Sequence, residues 1–147
     1  MTTLKDAPKN ILVPVDFSEQ SEKAVMAAGT LAKATGACVH LLNAYLIPVE
    51  SVGHGLAISH DYVEQFVKDS TAKLQELAAR RLEGVTVGSL LVLSGDPREV
   101  ITEEAKRLEA EVIVMGTHGR RGLTRVLIGS VAETVVRTAP CSVLIVR

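Results

Sequence analysis

The stretch Val112-Ile113-Val114-Met115-Gly116-Thr117-His118-Gly119 runs from a continuous apolar segment into a glycine-bracketed turn, and nine residues separate it from Gly129-Ser130. A short unbroken run of Val, Ile and Met suits a strand covered on both faces. The glycines let backbone approach a ligand with no Cβ in the way. Ser130 and Glu133 have the spacing of a capping box, which predicts a helix N-terminus at Ser130 with free N–H donors. Such donors, with the positive end of the helix dipole, form an anion site. The stretch therefore reads as strand, phosphate loop and helix start.

Working outward, four further apolar runs, Ile11–Val15, Cys38–Tyr45, Val85–Leu93 and Ser142–Val146, bring the number of expected strands to five. Helical patterns separate them. Ser18 can cap a helix carrying Ala24, Val25, Ala28, Leu31 and Ala32 on its apolar face, with Gly36 as its stop. A second helix is expected from about Ser59 to Leu82. A third opens at Asp96-Pro97-Arg98-Glu99, an N-cap followed by a first-position proline and an acid at the reciprocal position. The fourth runs from Ser130 to about Thr138, before Pro140. Strand and helix in alternation predict parallel pairing with crossovers. The fold class is α/β: an open doubly wound five-stranded parallel sheet with helices on both faces, in one domain over residues 1–147.

Ligands of such sheets bind beyond the carboxyl ends of the strands, where strand order reverses. Gly116–Gly119 follows the fourth strand and Asp16-Phe17-Ser18 follows the first. If those strands are neighbours, both segments line one crevice. Asp16 can accept hydrogen bonds from a ribose hydroxyl or an adenine amine; equally, it can help Ser18 to cap the first helix. Pro14 cannot donate to a ladder, so it belongs where its nitrogen needs no partner. His118 offers an imidazole and a backbone N–H to a phosphate, or a purely structural side chain. His40, inside the second strand, is expected to face solvent or an interface.

Charge narrows the ligand. From Gly116 onward the chain has five arginines and one acid, Glu133, a net of +4, whereas the whole chain is −1. A local basic field suits one anionic ligand, unlike the broad basic face of a nucleic-acid binder. Two Tyr, two Phe and no Trp also leave few platforms for stacking bases. Apolar runs are too short for a membrane span, no signal peptide is evident, and a cytoplasmic location is expected. Cys38 and Cys141 read as small buried hydrophobes rather than a disulfide or metal site. His54 and His60 provide too few ligands for a metal centre. There is no Gly-Lys-Ser/Thr phosphate loop and no complete dinucleotide fingerprint.

Taken together, these residues resemble the universal stress protein family, in its ATP-binding branch. The family signature, Gly, two residues, Gly, nine residues, Gly and Ser or Thr, matches Gly116, Gly119, Gly129 and Ser130. The opening Ile11-Leu12-Val13-Pro14-Val15-Asp16-Phe17-Ser18 and the ending Ala139-Pro140-Cys141-Ser142-Val143-Leu144-Ile145-Val146 match its first and last strands. The resemblance implies a Rossmann-like fold of the adenine nucleotide alpha hydrolase type and an ATP ligand, with Mg or Mn arriving through the phosphates. Pro14, Val15 and Asp16 would lie at the adenosine end, and Ala44 against adenine. Met115 and Gly116 would flank the ribose and first phosphate. His118, Gly119, Arg120, Gly129, Ser130 and Val131 would surround the phosphates. It also implies a homodimer through antiparallel pairing of Ser142–Val146, an exposed edge that needs covering. Asn43 and Leu46–Ile58 fall outside any motif of the family.

The expected function is a nucleotide-binding regulatory, stress-response module. The alternatives are a weak ATPase, slow at most because no group is placed to activate water, and a partner-binding dimer without nucleotide.

Overall fold

A computed structural model describes residues 6–47, 60–118 and 128–147. Five strands, β1 Asn10–Pro14, β2 Cys38–Tyr45, β3 Thr86–Ser94, β4 Val112–Gly116 and β5 Ser142–Val146, form one sheet. Between them lie helices α1 Glu19–Thr35, α2 His60–Arg81, α3 Pro97–Arg107 and α4 Ser130–Thr138. All pairings are parallel and the strand order is β3-β2-β1-β4-β5. The sequence therefore starts in the middle, grows toward β3, then returns to the other side of β1. The reversal falls between β1 and β4, as the crevice expectation requires.

Alternation along the strands feeds two cores. Ile11, Val13, Val39, Leu41, Val112 and Val114 pack under α1 and α2, where Ala24, Val25, Ala28, Leu74 and Leu77 are buried. Leu12, Leu42, Ile113 and Met115 pack under α3 and α4, against Val100, Ile101, Ala105, Ala132 and Val135. With so few aromatics, the interior is aliphatic, and small α1 residues let that helix lie close to the sheet.

Local signals set most of the boundaries. Ser18 caps α1, accepting from the Ser21 N–H, and Gly36 closes the helix in the left-handed region at φ 77°. Asp96 caps α3 with Pro97 at its start; its carboxylate takes both the Arg98 N–H and the Arg98 guanidinium, which hold it down to about 2.

Two expectations need correction. His40 is 8 % exposed and faces neither solvent nor an interface. The β2–β3 register shifts beside it, between Val39 and Leu41. Its Nδ1 accepts the Ser89 N–H at 2.9 Å, while Nε2 lies 3.3 Å from Asn10 Oδ1. The ring thus satisfies an amide that the irregular ladder leaves over. Gly88 makes room for it, since a Cβ there would lie 2.6 Å from Nδ1. The second correction concerns α4. Ser130 is its first helical residue rather than its cap; Gly129 holds the cap position with no side-chain bond. Glu133 instead accepts from Arg137, one turn on.

No helix among the described residues is long and apolar enough to cross a membrane. Both cysteines are free and half-buried. Burial pushes the Cys141 thiol up to about 11.

Candidate functional site

The carboxyl ends of β2, β1 and β4 lie side by side, and the expected site residues gather there. Pro14 ends β1 with Val15 and Asp16 following it, Ala44 is the last residue but one of β2, and Met115 and Gly116 end β4. Leu12 and Met115 share the α3/α4 core, with Ala44 and Val131 packed on it. Alternation places Pro14 on that same face. Pro14, Ala44 and Met115 therefore share one apolar floor, whereas Val15 is buried in the opposite core, under α1 and α2.

Pro14 is accounted for by the ladder. The Val15 N–H donates to Leu42 of β2 at 2.8 Å, so the Pro14 nitrogen faces β4. Pairing of β1 with β4 is registered at Ile11 and Leu12, short of Pro14. A proline here costs no ladder bond, and the strands part where the crevice opens.

The turn after β1 is tightly organised. Asp16 Oδ1 accepts from the Ser18 N–H at 3.0 Å and from the Ser18 hydroxyl. Ser18 Oγ in turn accepts from Ser21 at 3.2 Å. Asp16 thus acts on α1 indirectly, by orienting the cap. Phe17 between them sits at φ 62°, in the left-handed region that side chains rarely adopt.

On the β4 side, the Thr117 N–H donates to Val146 of β5 at 3.1 Å. The Thr117 carbonyl accepts the Gly129 N–H at 2.7 Å, which ties the start of α4 to the end of β4 although eleven residues intervene. The Gly129 N–H is spent on this bond, so Gly129 contributes close approach rather than a donor. The donors come from the first turn of α4, at Ser130 and Val131, where helix geometry leaves N–H groups without intrahelical partners. His118 Nδ1 lies 3.0 Å from Thr117 Oγ1. Its Nε2 is buried with no hydrogen-bond partner. An orphaned ring nitrogen beside a helix N-terminus fits an anionic group with its own oxygens. Gly119 and Arg120 lie outside the described residues.

Gly116 meets a different need. A Cβ there would stand 3.0 Å from the backbone of Gln20, so glycine lets the first turn of α1 rest on the end of β4. One residue with no family motif also belongs to this end of the sheet: Asn43, 6 % exposed, donates from Nδ2 to the Val15 carbonyl at 2.7 Å. A lone amide in an apolar strand is its only trace in the sequence. His60, in the first turn of α2, pairs with Glu64 at 3.2 Å, and both are exposed.

Comparison with known proteins agrees with this fold. Residues 8–147 match the Universal stress protein family. Universal stress protein MJ0531 of Methanocaldococcus jannaschii is 34 % identical over 142 residues, covering 95 % of this chain and 82 % of its own. The solved structure of MJ0577, a hypothetical protein in a structure-based assignment of biochemical function, superposes with a TM-score of 0.81 at 28 % identity, covering 96 % of both chains. A universal stress protein solved in complex with cAMP gives a TM-score of 0.69 at 25 % identity, covering 97 % of this chain and 98 % of the other. The chain belongs to the universal stress protein family.

Proposed function

We propose that this chain is a nucleotide-binding regulatory protein whose ligand is ATP, held in the crevice between the ends of β1 and β4. One observation carries the reading. The turn after β1, the end of β4 and the start of α4 converge, and the Gly129 N–H bond to Thr117 fixes the last two against each other. Pro14, Ala44 and Met115 supply an apolar floor for adenine, Val15 borders the nucleoside through its backbone, and Asp16 accepts from the ribose. Gly116 gives access at the first phosphate. His118, Gly119, Arg120, Ser130 and Val131 surround the phosphates by backbone donors and the Ser130 hydroxyl, and Gly129 allows the close approach. A family relative solved with cAMP supports an adenine nucleotide. Mg or Mn would enter on the phosphates. The site residues bind and orient; Asp16 lies at the nucleoside end, so hydrolysis is slow at most.

The single domain works as a homodimer in this reading. Strand β5 is a sheet edge whose Leu144 is 43 % exposed, and a second copy of the strand would cover it. Free cysteines fit a reducing, cytoplasmic setting.

The test is to denature the purified protein, identify released nucleotide by mass spectrometry, and follow melting with added ATP. At a hundredfold excess over its dissociation constant, a ligand stabilises by about 2.7 kcal/mol, a rise of several degrees for this length. No nucleotide and no shift would overturn the reading.

A further inference from the structure

Asn43 is the residue of β2 least suited to its surroundings. Its neighbours Leu41 and Leu42 are fully buried, and it is itself 6 % exposed. Alternation with Leu41 puts it on the α1/α2 face, opposite the apolar floor of the crevice. Its Nδ2 reaches the Val15 carbonyl, while Oδ1 is buried with no hydrogen-bond partner. An unpaired buried acceptor costs stability, and an apolar side chain of similar shape would avoid that cost. The amide is therefore kept for its bond to Val15, the last peptide before Asp16.

That turn needs holding. Phe17 lies in the left-handed region, a conformation that persists where surroundings over-determine it. Its ring packs on the α1/α2 core, with Lys73 Nζ 5.6 Å from the ring centre. Asp16 and Ser18 lock the turn from above through their own bonds. Asn43 supplies the support from within the sheet.

We propose that Asn43 is a positioning residue for the nucleoside end of the crevice: its amide fixes the Val15 carbonyl and, through it, the height and direction of Asp16. The proposal rests on the nucleotide reading above and deepens it, because Asn43 acts on the β1 turn and leaves the β4–α4 phosphate end alone.

Asn43→Leu removes the donor and the unpartnered oxygen together while keeping the branched outline of the side chain. Calorimetric titrations of wild-type and variant protein with ATP, ADP and AMP give the test, beside thermal melting of each. The expected result is a loss of about tenfold for all three nucleotides, equal within about twofold, the scale of one hydrogen bond, with melting within a few degrees of wild type. Unchanged affinities overturn the proposal, whatever happens to melting, and assign Asn43 to stability alone. A loss that grows from AMP to ATP also overturns it, by placing the defect at the phosphates. Asn43→Ala carries the same comparison should the leucine variant fail to fold. Wild-type protein that binds none of the three would instead overturn the nucleotide reading, a result visible before any variant is made.

Discussion

Replacing Gly129 with alanine separates the steric part of the phosphate end from its conformational part. Gly129 lies at φ −61° and ψ 153°, a conformation open to any residue, so alanine brings no backbone strain. The obstacle is proximity. A Cβ would stand 3.0 Å from the Thr117 oxygen and 3.6 Å from His118 Cα, where ordinary contact starts at 3.4 Å. The same oxygen accepts the Gly129 N–H at 2.7 Å. The two segments must therefore part by a few tenths of an ångström, stretching that bond. Weakening one backbone hydrogen bond costs about 1 kcal/mol, and mild overpacking adds about 1 kcal/mol more. Together, about 2 kcal/mol lowers the melting temperature by about 4–8 °C in a domain of this length. The separation also carries Ser130 and Val131 away from His118, so ATP affinity should fall by more than about tenfold. Scanning fluorimetry and calorimetry read the two effects on one sample. Wild-type melting together with wild-type affinity would refute the reasoning, since the strand end and the helix start would then not be in mutual contact. Gly129→Val should bind ATP more weakly still.

Three further outcomes follow from the structure. Burial, with the Arg107 charge behind it, lowers His40 from its ordinary 6.5. The unfolded chain then takes up the proton first, so the stability present above pH 6.5 is lost as pH falls through the depressed folded value. Melting between about pH 7.5 and pH 5 should show this fall, and His40→Gln should flatten the profile; identical profiles would refute the assignment. Cys141, pushed up to about 11 by burial, should alkylate with iodoacetamide at about pH 8 far more slowly than a free thiol, as mass spectrometry would show. Leu144→Lys on the β5 edge should convert dimers to monomers in sedimentation and abolish the dependence of melting on protein concentration that dimerisation brings; a monomeric wild type would refute the β5 dimer.

Element type and order were legible because each strand run is short and continuous and each helix has a local start or stop, at Ser18, Gly36 and Asp96-Pro97. Strand order was legible only as a condition, since adjacency of β1 and β4 depends on tertiary packing that no local signal encodes. Ser130 misled for a related reason. Spacing alone fits a capping box, but Gly129 must abut Thr117, and this draws the helix start back by one residue, where the Ser130 hydroxyl can no longer cap. The burial of His40 could not be read because the register shift at Gly88-Ser89, which creates an inward demand for a hydrogen-bond acceptor, is a property of strand pairing and not of either strand's own sequence. Asn43 was unreadable because its importance lies in one bond to a backbone carbonyl twenty-eight residues earlier.

The two ends of the sheet differ in how completely their polar groups are paired, and this difference bears on function. At the amino end, the Lys9 and Asn10 N–H groups both go to the Glu111 carboxylate, Cys38 N–H goes to Lys9, and both nitrogens of His40 are engaged. At the carboxyl end, Gln20 Oε1, Asn43 Oδ1 and His118 Nε2 are buried without partners, and they are the described side chains in that condition. Backbone strain is not divided in this way, since Phe17 lies at the carboxyl end and Glu109, at φ 50°, precedes β4 at the amino end. Imperfect pairing costs stability wherever it occurs, so chance would distribute it over both ends. Its confinement to the mouth of the switch point is what a sheet would show if its amino end served folding alone and its carboxyl end were kept ready for a ligand.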